Sequence, residues 1–134
     1  MAQRIEGELQ LTLHLDELKS RRNPEMVGKA EYRVQVWING LERWQSEKPV
    51  KVKEGGTADL GVGIPMRLEA DTDIVDIQVL VAELDLLSPD DPAAGGFELY
   101  RSAGFFVGER FSIPISGADT DISIQCRVEA EPPA

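Results

Sequence analysis

Leu9-Gln10-Leu11-Thr12-Leu13-His14-Leu15 alternates strictly between apolar and polar residues. A β-strand turns successive side chains to opposite faces, so this pattern places four leucines on one face and Gln10, Thr12 and His14 on the other. The same period recurs along the chain. Tyr32, Val34, Val36 and Ile38 form one set, and Leu60, Val62, Ile64, Met66 and Leu68 another. Ile77, Val79 and Val81 follow, then Phe111, Ile113 and Ile115, then Ile122, Ile124, Cys126 and Val128. No segment carries a comparable helical period. Strands of this kind, separated by turn signals, predict an all-β fold: an antiparallel Greek-key β-sandwich of about eight strands.

The punctuation agrees with that reading. Asn39-Gly40 lies between two strand-like runs, and both residues tolerate the positive φ of a type I′ hairpin turn. The turn would pair Ile38 with Leu41 and Trp37 with Glu42. The same register pairs Trp44 with Gln35. Both tryptophans would then lie on one hairpin face, opposite Val34, Val36 and Ile38, within reach of each other. Tryptophan is enriched at binding hot spots, so Trp37 and Trp44 are candidates for contacting a partner or another copy of the chain. Pro65 and Pro114 fall at outward positions in strands and predict edge strands or bulges. Gly61-Val62-Gly63 predicts a bulge or a close backbone approach. The stretches 47–56 and 84–97 read as loops, and long loops are often functional.

A chain of 134 residues predicts a single domain spanning 1–134, large enough to hold its core without a disulfide or a structural metal. Its one cysteine, Cys126, cannot form an internal disulfide, and it belongs to an apolar strand set. It reads as a small core hydrophobe, not a nucleophile. The N-terminal residues lack a signal-peptide core, and the expected location is cytoplasmic. Twenty-four acidic against fourteen basic residues leave a net charge of −10. This repels nucleic acid and disfavours anionic membranes. His14 is the only histidine, which argues against zinc, although it could pair with Asp16 two residues on. No nucleophile elbow, phosphate loop or dinucleotide fingerprint is present, so the expected function is not enzymatic.

One stretch is more specific: Glu83-Leu84-Asp85-Leu86-Leu87-Ser88-Pro89-Asp90-Asp91. Carboxylates at 83, 85 and 91 on one loop can converge on a single hard cation. With the strand series before and after it, this stretch resembles the third calcium loop of C2 domains. Gly7 to Leu18 resembles a first C2 strand, Tyr32 to Ile38 the following one, and Phe111 to Ile115 with Ile122 to Glu129 the closing pair. The resemblance implies a C2-like sandwich in which Glu83, Asp85 and Asp91 stand at metal-ligand positions. The first loop departs from the family pattern. Where aspartates are expected there is Ala30-Glu31, and Glu25 is the other acid nearby. The resemblance therefore implies a degenerate site, binding Ca2+ weakly if at all. Lys19, Arg21 and Arg22, placed on the first loop, could pair with the acidic loop instead, or meet lipid phosphates while Leu86 and Leu87 insert. The resulting expectation is a C2-like protein-binding adaptor or assembly subunit that does not need calcium. Calcium-dependent membrane targeting and self-association through the tryptophan face or an edge strand are the alternatives.

Overall fold

The computed structural model describes residues 6–22, 29–83, 92–117 and 120–131. Nine strands follow in order: β1 (Leu9–Arg22), β2 (Lys29–Ile38), β3 (Leu41–Gln45), β4 (Val50–Lys53), β5 (Thr57–Leu68), β6 (Ile74–Glu83), β7 (Pro92–Tyr100), β8 (Arg110–Ser116) and β9 (Asp121–Ala130). The hydrogen-bonded order is β3-β2-β6-β7-β8-β9-β1-β5, with β4 also on β2. All strand pairs are antiparallel. β7 and β8 meet through a single residue pair, Ala94 with Ser116. The structure is therefore two four-position sheets, β3/β4-β2-β6-β7 and β5-β1-β9-β8, joined along one side.

The alternating sets face each other across this sandwich. Leu11, Leu13, Leu15, Val34, Val36, Ile77, Val79, Ile113, Ile122, Ile124 and Val128 are all buried in one core. Bulges adjust the phase where the sequence breaks its own period. Asp16 is an extra residue of β1 opposite β9, so burial moves from Leu15 to Leu18 and Ser20. An extra β5 residue opposite β1 sits at Leu60-Gly61, and Gly61 takes φ +61°. This bears out the bulge expected from the glycines. Asn39 and Gly40 both have positive φ, as the type I′ turn requires. Pro65 lies on the terminal strand of its sheet.

Three stretches differ from expectation. The loop expected over 47–56 contains β4, which pairs with the first half of β2 while β3 pairs with the second half. Ser46 fills the gap between them. Its N–H donates to the Val34 carbonyl at 2.9 Å, and its Oγ accepts from the Val34 N–H at 3.0 Å. Residues 92–97 are also strand, not loop, because β7 begins at Pro92. The small residues expected in a loop include one that close approach requires. A Cβ on Gly95 would lie 1.9 Å from the Pro114 carbonyl oxygen. Finally, Lys19, Arg21 and Arg22 lie on β1, which continues to Arg22, and not on a loop.

The end near the β7–β8 connection is plugged by aromatic rings. Phe97 stacks on Phe111 at 4.6 Å between centroids, and Phe106 packs edge-on against Phe97 at 5.5 Å. A short 3₁₀ segment, Arg101–Phe106, buries Phe105 completely and holds Gly104, Phe105 and Phe106 at positive φ. Arg101 secures it. Its guanidinium donates to the carbonyls of Thr72 (2.9 Å), Glu69 (3.0 Å) and Gly7 (3.1 Å), and it lies 5.3 Å from the Phe105 ring centre.

Gly95→Ala should destabilise by about 1–3 kcal/mol or more, because the clash is with backbone that cannot turn aside. Gly96→Ala meets the side-chain amide of Gln78 at 2.9 Å, an exposed group that can shift at the expense of its hydrogen bond to Asp76, and should cost less. Urea unfolding of the two variants checks the order; equal losses would rule out this account of the sheet junction.

Candidate functional site

The sequence nominated two surfaces, a loop end and a tryptophan face. At the loop end, β1, β2, β4 and β6 terminate near one another. The β4–β5 turn is stitched to β1: the Gly55 N–H donates to the Ser20 carbonyl at 2.8 Å, and the Ser20 N–H to the Gly56 carbonyl at 3.0 Å. Lys19, Arg21 and Arg22 are exposed on this end of β1. Arg22 is paired in register with Asp121. Lys19 Nζ lies 3.8 Å from Glu17 Oε1.

Of the three expected metal ligands, Glu83 is the last residue of β6, half-buried and paired in register with Tyr32. Asp85 and Asp91, with Leu86 and Leu87, lie outside the described residues. Glu31 stands one strand position from Tyr32, and its carboxylate is 3.5 Å from Lys51 Nζ. A lysine therefore already serves one of the acids nearest the first loop. Among the described residues, no three His, Cys, Asp or Glu side chains come together as a metal-binding group.

The tryptophan face is not formed as expected. Trp37 pairs with Glu42, but Trp44 pairs with Val36 and Gln45 with Gln35. One extra β3 residue, Arg43, shifts the register. A one-residue slip moves a side chain to the other face of a strand. Trp44 therefore turns inward and packs against the core, while Trp37 stays on the outer face, half-buried. The bulge also sends Arg43 across the open side of the sandwich, where Nη2 donates to the Pro65 carbonyl of β5 at 2.8 Å.

Beside this clasp lies a feature that strand counting missed. The sandwich is closed along β7–β8 and open between β3/β4 and β5. The open side carries a depression of about 560 Å³. Trp44, Val50, Ala58 and Leu60, half-buried and packed on the core, form its floor; Glu47, Lys48, Lys51 and Asp59 stand at its rim. The sequence signal was present in the polar, Pro-containing interruption at 46–49, but only the sheet order places it opposite β5.

A second, polar depression of about 490 Å³ lies on the outer face of β1, β9 and β8, lined by Asp16, Glu17, Lys19, Arg110, Gln125, Cys126 and Arg127. Arg127 Nε is 3.3 Å from Asp16, and its guanidinium also contacts Glu129. His14 Nε2 is 3.3 Å from Glu129, so the carboxylate beside the histidine is Glu129 and not Asp16. The Cys126 side chain is buried, with Sγ 3.6 Å from the Ile124 carbonyl. Burial, helped by the negative charge of Asp16, pushes its thiol up to about 12. A thiol held protonated at neutral pH is a poor nucleophile.

Comparison with solved structures places this fold. A C2 domain-containing protein from a putative elicitor-responsive gene aligns with TM-score 0.63 and 11% identity, covering 100% of this chain and 96% of the other. A C2 domain protein from Ramazzottius varieornatus aligns with TM-score 0.60 and 10% identity, over 96% and 92%. Human GIVD cytosolic phospholipase A2 aligns with TM-score 0.57 and 10% identity over 94% of this chain, which spans only 18% of that enzyme. The fold is C2-like. No protein-family profile and no curated protein sequence matches the chain.

Two outcomes follow from this geometry. Trp44→Ala should cost about 2–3 kcal/mol, below the ~3–5 kcal/mol of a fully buried ring, and Trp37→Ala under ~1 kcal/mol. Similar losses in urea titrations would contradict the inward turn of Trp44. Separately, Cys126 ionises at its ordinary value of 9.0 once unfolded but near 12 when folded. The native state thus keeps a proton that the unfolded chain gives up above pH 9, and the thiol's contribution to stability is lost as pH rises from 9 towards 12. Wild type should lose more stability than Cys126→Ala over the accessible alkaline part of that range. Parallel curves for the two proteins would show that the thiol does not titrate differently on folding.

Proposed function

We propose that this chain is a non-enzymatic, C2-like binding module that recognises another protein, in the cytoplasm and without calcium. The observation that carries this reading is the open side of the sandwich. Apolar residues of the core layer reach the surface there between two strand edges, under a rim of mixed charge. Exposed apolar surface rimmed by polar groups is characteristic of protein contact sites. Support for calcium independence comes from the first-loop side, where Glu31 is engaged by Lys51. The non-catalytic reading is supported by the C2 domain proteins that match over nearly their full length, and by the protonated state of the buried Cys126 thiol. Such a module would act as an adaptor or as a subunit of a larger assembly.

The alternative with a specific observation behind it is calcium-dependent membrane targeting. Lys19, Arg21 and Arg22 are exposed on the strand end that leads into the first loop, in the sheet opposite the one whose strand β6 ends at Glu83. In that reading Glu83, Asp85 and Asp91 hold the cation, and Leu86 and Leu87 enter the lipid. The net charge of −10 opposes it unless the cation reverses the local field.

Thermal unfolding with excess calcium and with chelator separates the two. A ligand at ~100 times its Kd stabilises by ~2.7 kcal/mol when it binds only the folded state. The expected result is no shift, either in wild type or in Asp85→Asn with Asp91→Asn, and no sedimentation with anionic liposomes. A calcium-dependent rise that vanishes in the double variant, together with liposome binding, would replace the present reading with membrane targeting.

A further inference from the structure

We infer that the open side of the sandwich is a strand-addition site, which takes an extended segment of another protein alongside β5. The inference rests on the protein-binding reading above and names its site and the form of its ligand. β5 ends the sheet order, so its outer backbone edge has no strand partner among the described residues. An exposed edge supplies main-chain donors and acceptors to any extended chain that reaches it. Proline interrupts this edge at one end, the β4–β5 turn adjoins the other, and the bulge at Leu60-Gly61 lies between. The Pro65 carbonyl points away from β1 to Arg43. In an extended residue the N–H lies on the same side as the carbonyl, so the N–H that Pro65 lacks belongs to the outer edge. A ladder cannot continue past it. From Thr57 to Gly63 no proline interrupts the edge; the bulge at Leu60-Gly61 bends it, so the run beside the depression offers regular main-chain contacts to about three residues at ~3.3 Å each.

The depression lies beside that free stretch. Of the floor residues, Ala58 and Leu60 belong to β5, and Trp44 and Val50 to the β3–β4 side. An added strand would direct alternate side chains into this floor and the others out to the rim. The rim is charged in a defined order. Asp59 stands on the β5 wall and Lys48 on the opposite wall, both exposed, and neither forms an ion pair among the described residues. Lys51 is engaged by Glu31. The complementary ligand is an extended segment with apolar residues at alternate positions, a basic residue towards Asp59 and an acidic one towards Lys48.

The probe is a displayed library of short peptides with apolar residues at alternate positions, selected against the whole chain carrying Trp37→Phe. Trp44 is then the only fluorophore of its kind. Selected peptides should shift Trp44 emission and bind Trp44→Ala less tightly. Lys48→Glu with Asp59→Lys, which leaves the floor intact, should weaken them by ~5–10-fold, the sum of two exposed charge pairs reversed. Fresh selection against that double variant should return peptides with the opposite charge order. Binders unaffected by either change overturn the groove assignment and leave the protein-binding reading standing. A library that returns no binder overturns the inference. If anionic vesicles are then captured, the protein-binding reading falls with it. A dimer in solution that excludes the peptides and is broken by the double variant would make a second copy the occupant, and would equally overturn the inference.

Discussion

The architecture depends on one close approach. β7 and β8 belong to different sheets, and they meet where Gly95 lets the Pro114 carbonyl come nearer than any Cβ would permit. That contact joins the two sheets along one side and leaves the other side open. Between β5 and β3/β4 no strand pairing occurs; the β4–β5 turn joins them at one end, and the Arg43 side chain reaches the Pro65 carbonyl further along. A backbone junction on one side and a side-chain clasp on the other make the sandwich asymmetric. The half-buried Trp44, Val50, Ala58 and Leu60 reach the surface on the open side because no strand covers them there.

The bulges distribute the consequences. At Asp16 the extra residue preserves burial along a fourteen-residue strand by changing phase, so that Leu18 and Ser20 enter the core after Leu15. The displaced Asp16 then meets Arg127 on the outer face. At Arg43 the extra residue turns Trp44 in and frees the arginine to cross the gap. Bulges are known to re-aim side chains and to end regular pairing. In this protein two of them determine which charged groups stand on the outer sheet face and which aromatic ring lines the open side.

Likeness of fold does not carry an activity with it. The matched C2 domain proteins share 10–11% of their residues with this chain. This chain's own residues supply a Lys51–Glu31 pair near the first loop and a charged rim around an apolar floor. Both bear on recognition more directly than strand order does.

Much of the sandwich was legible from alternation alone, because a two-residue period admits only one buried face per strand. The leucines of β1, the aliphatic sets of β2, β6, β8 and β9, the Asn39-Gly40 turn and the edge position of Pro65 were all determined locally. What the sequence could not show was anything that depends on a neighbour from elsewhere in the chain. Residues 93–96 read as loop because small residues signal both turns and close approach, and only the arrival of Pro114 at Gly95 distinguishes them. Trp44 seemed to share a face with Trp37 because a bulge at Arg43 has no mark of its own in sequence. The groove was invisible for the same reason: its walls are brought together by sheet order, and residues 45–51 and 58–60 become neighbours only when one sheet folds over the other.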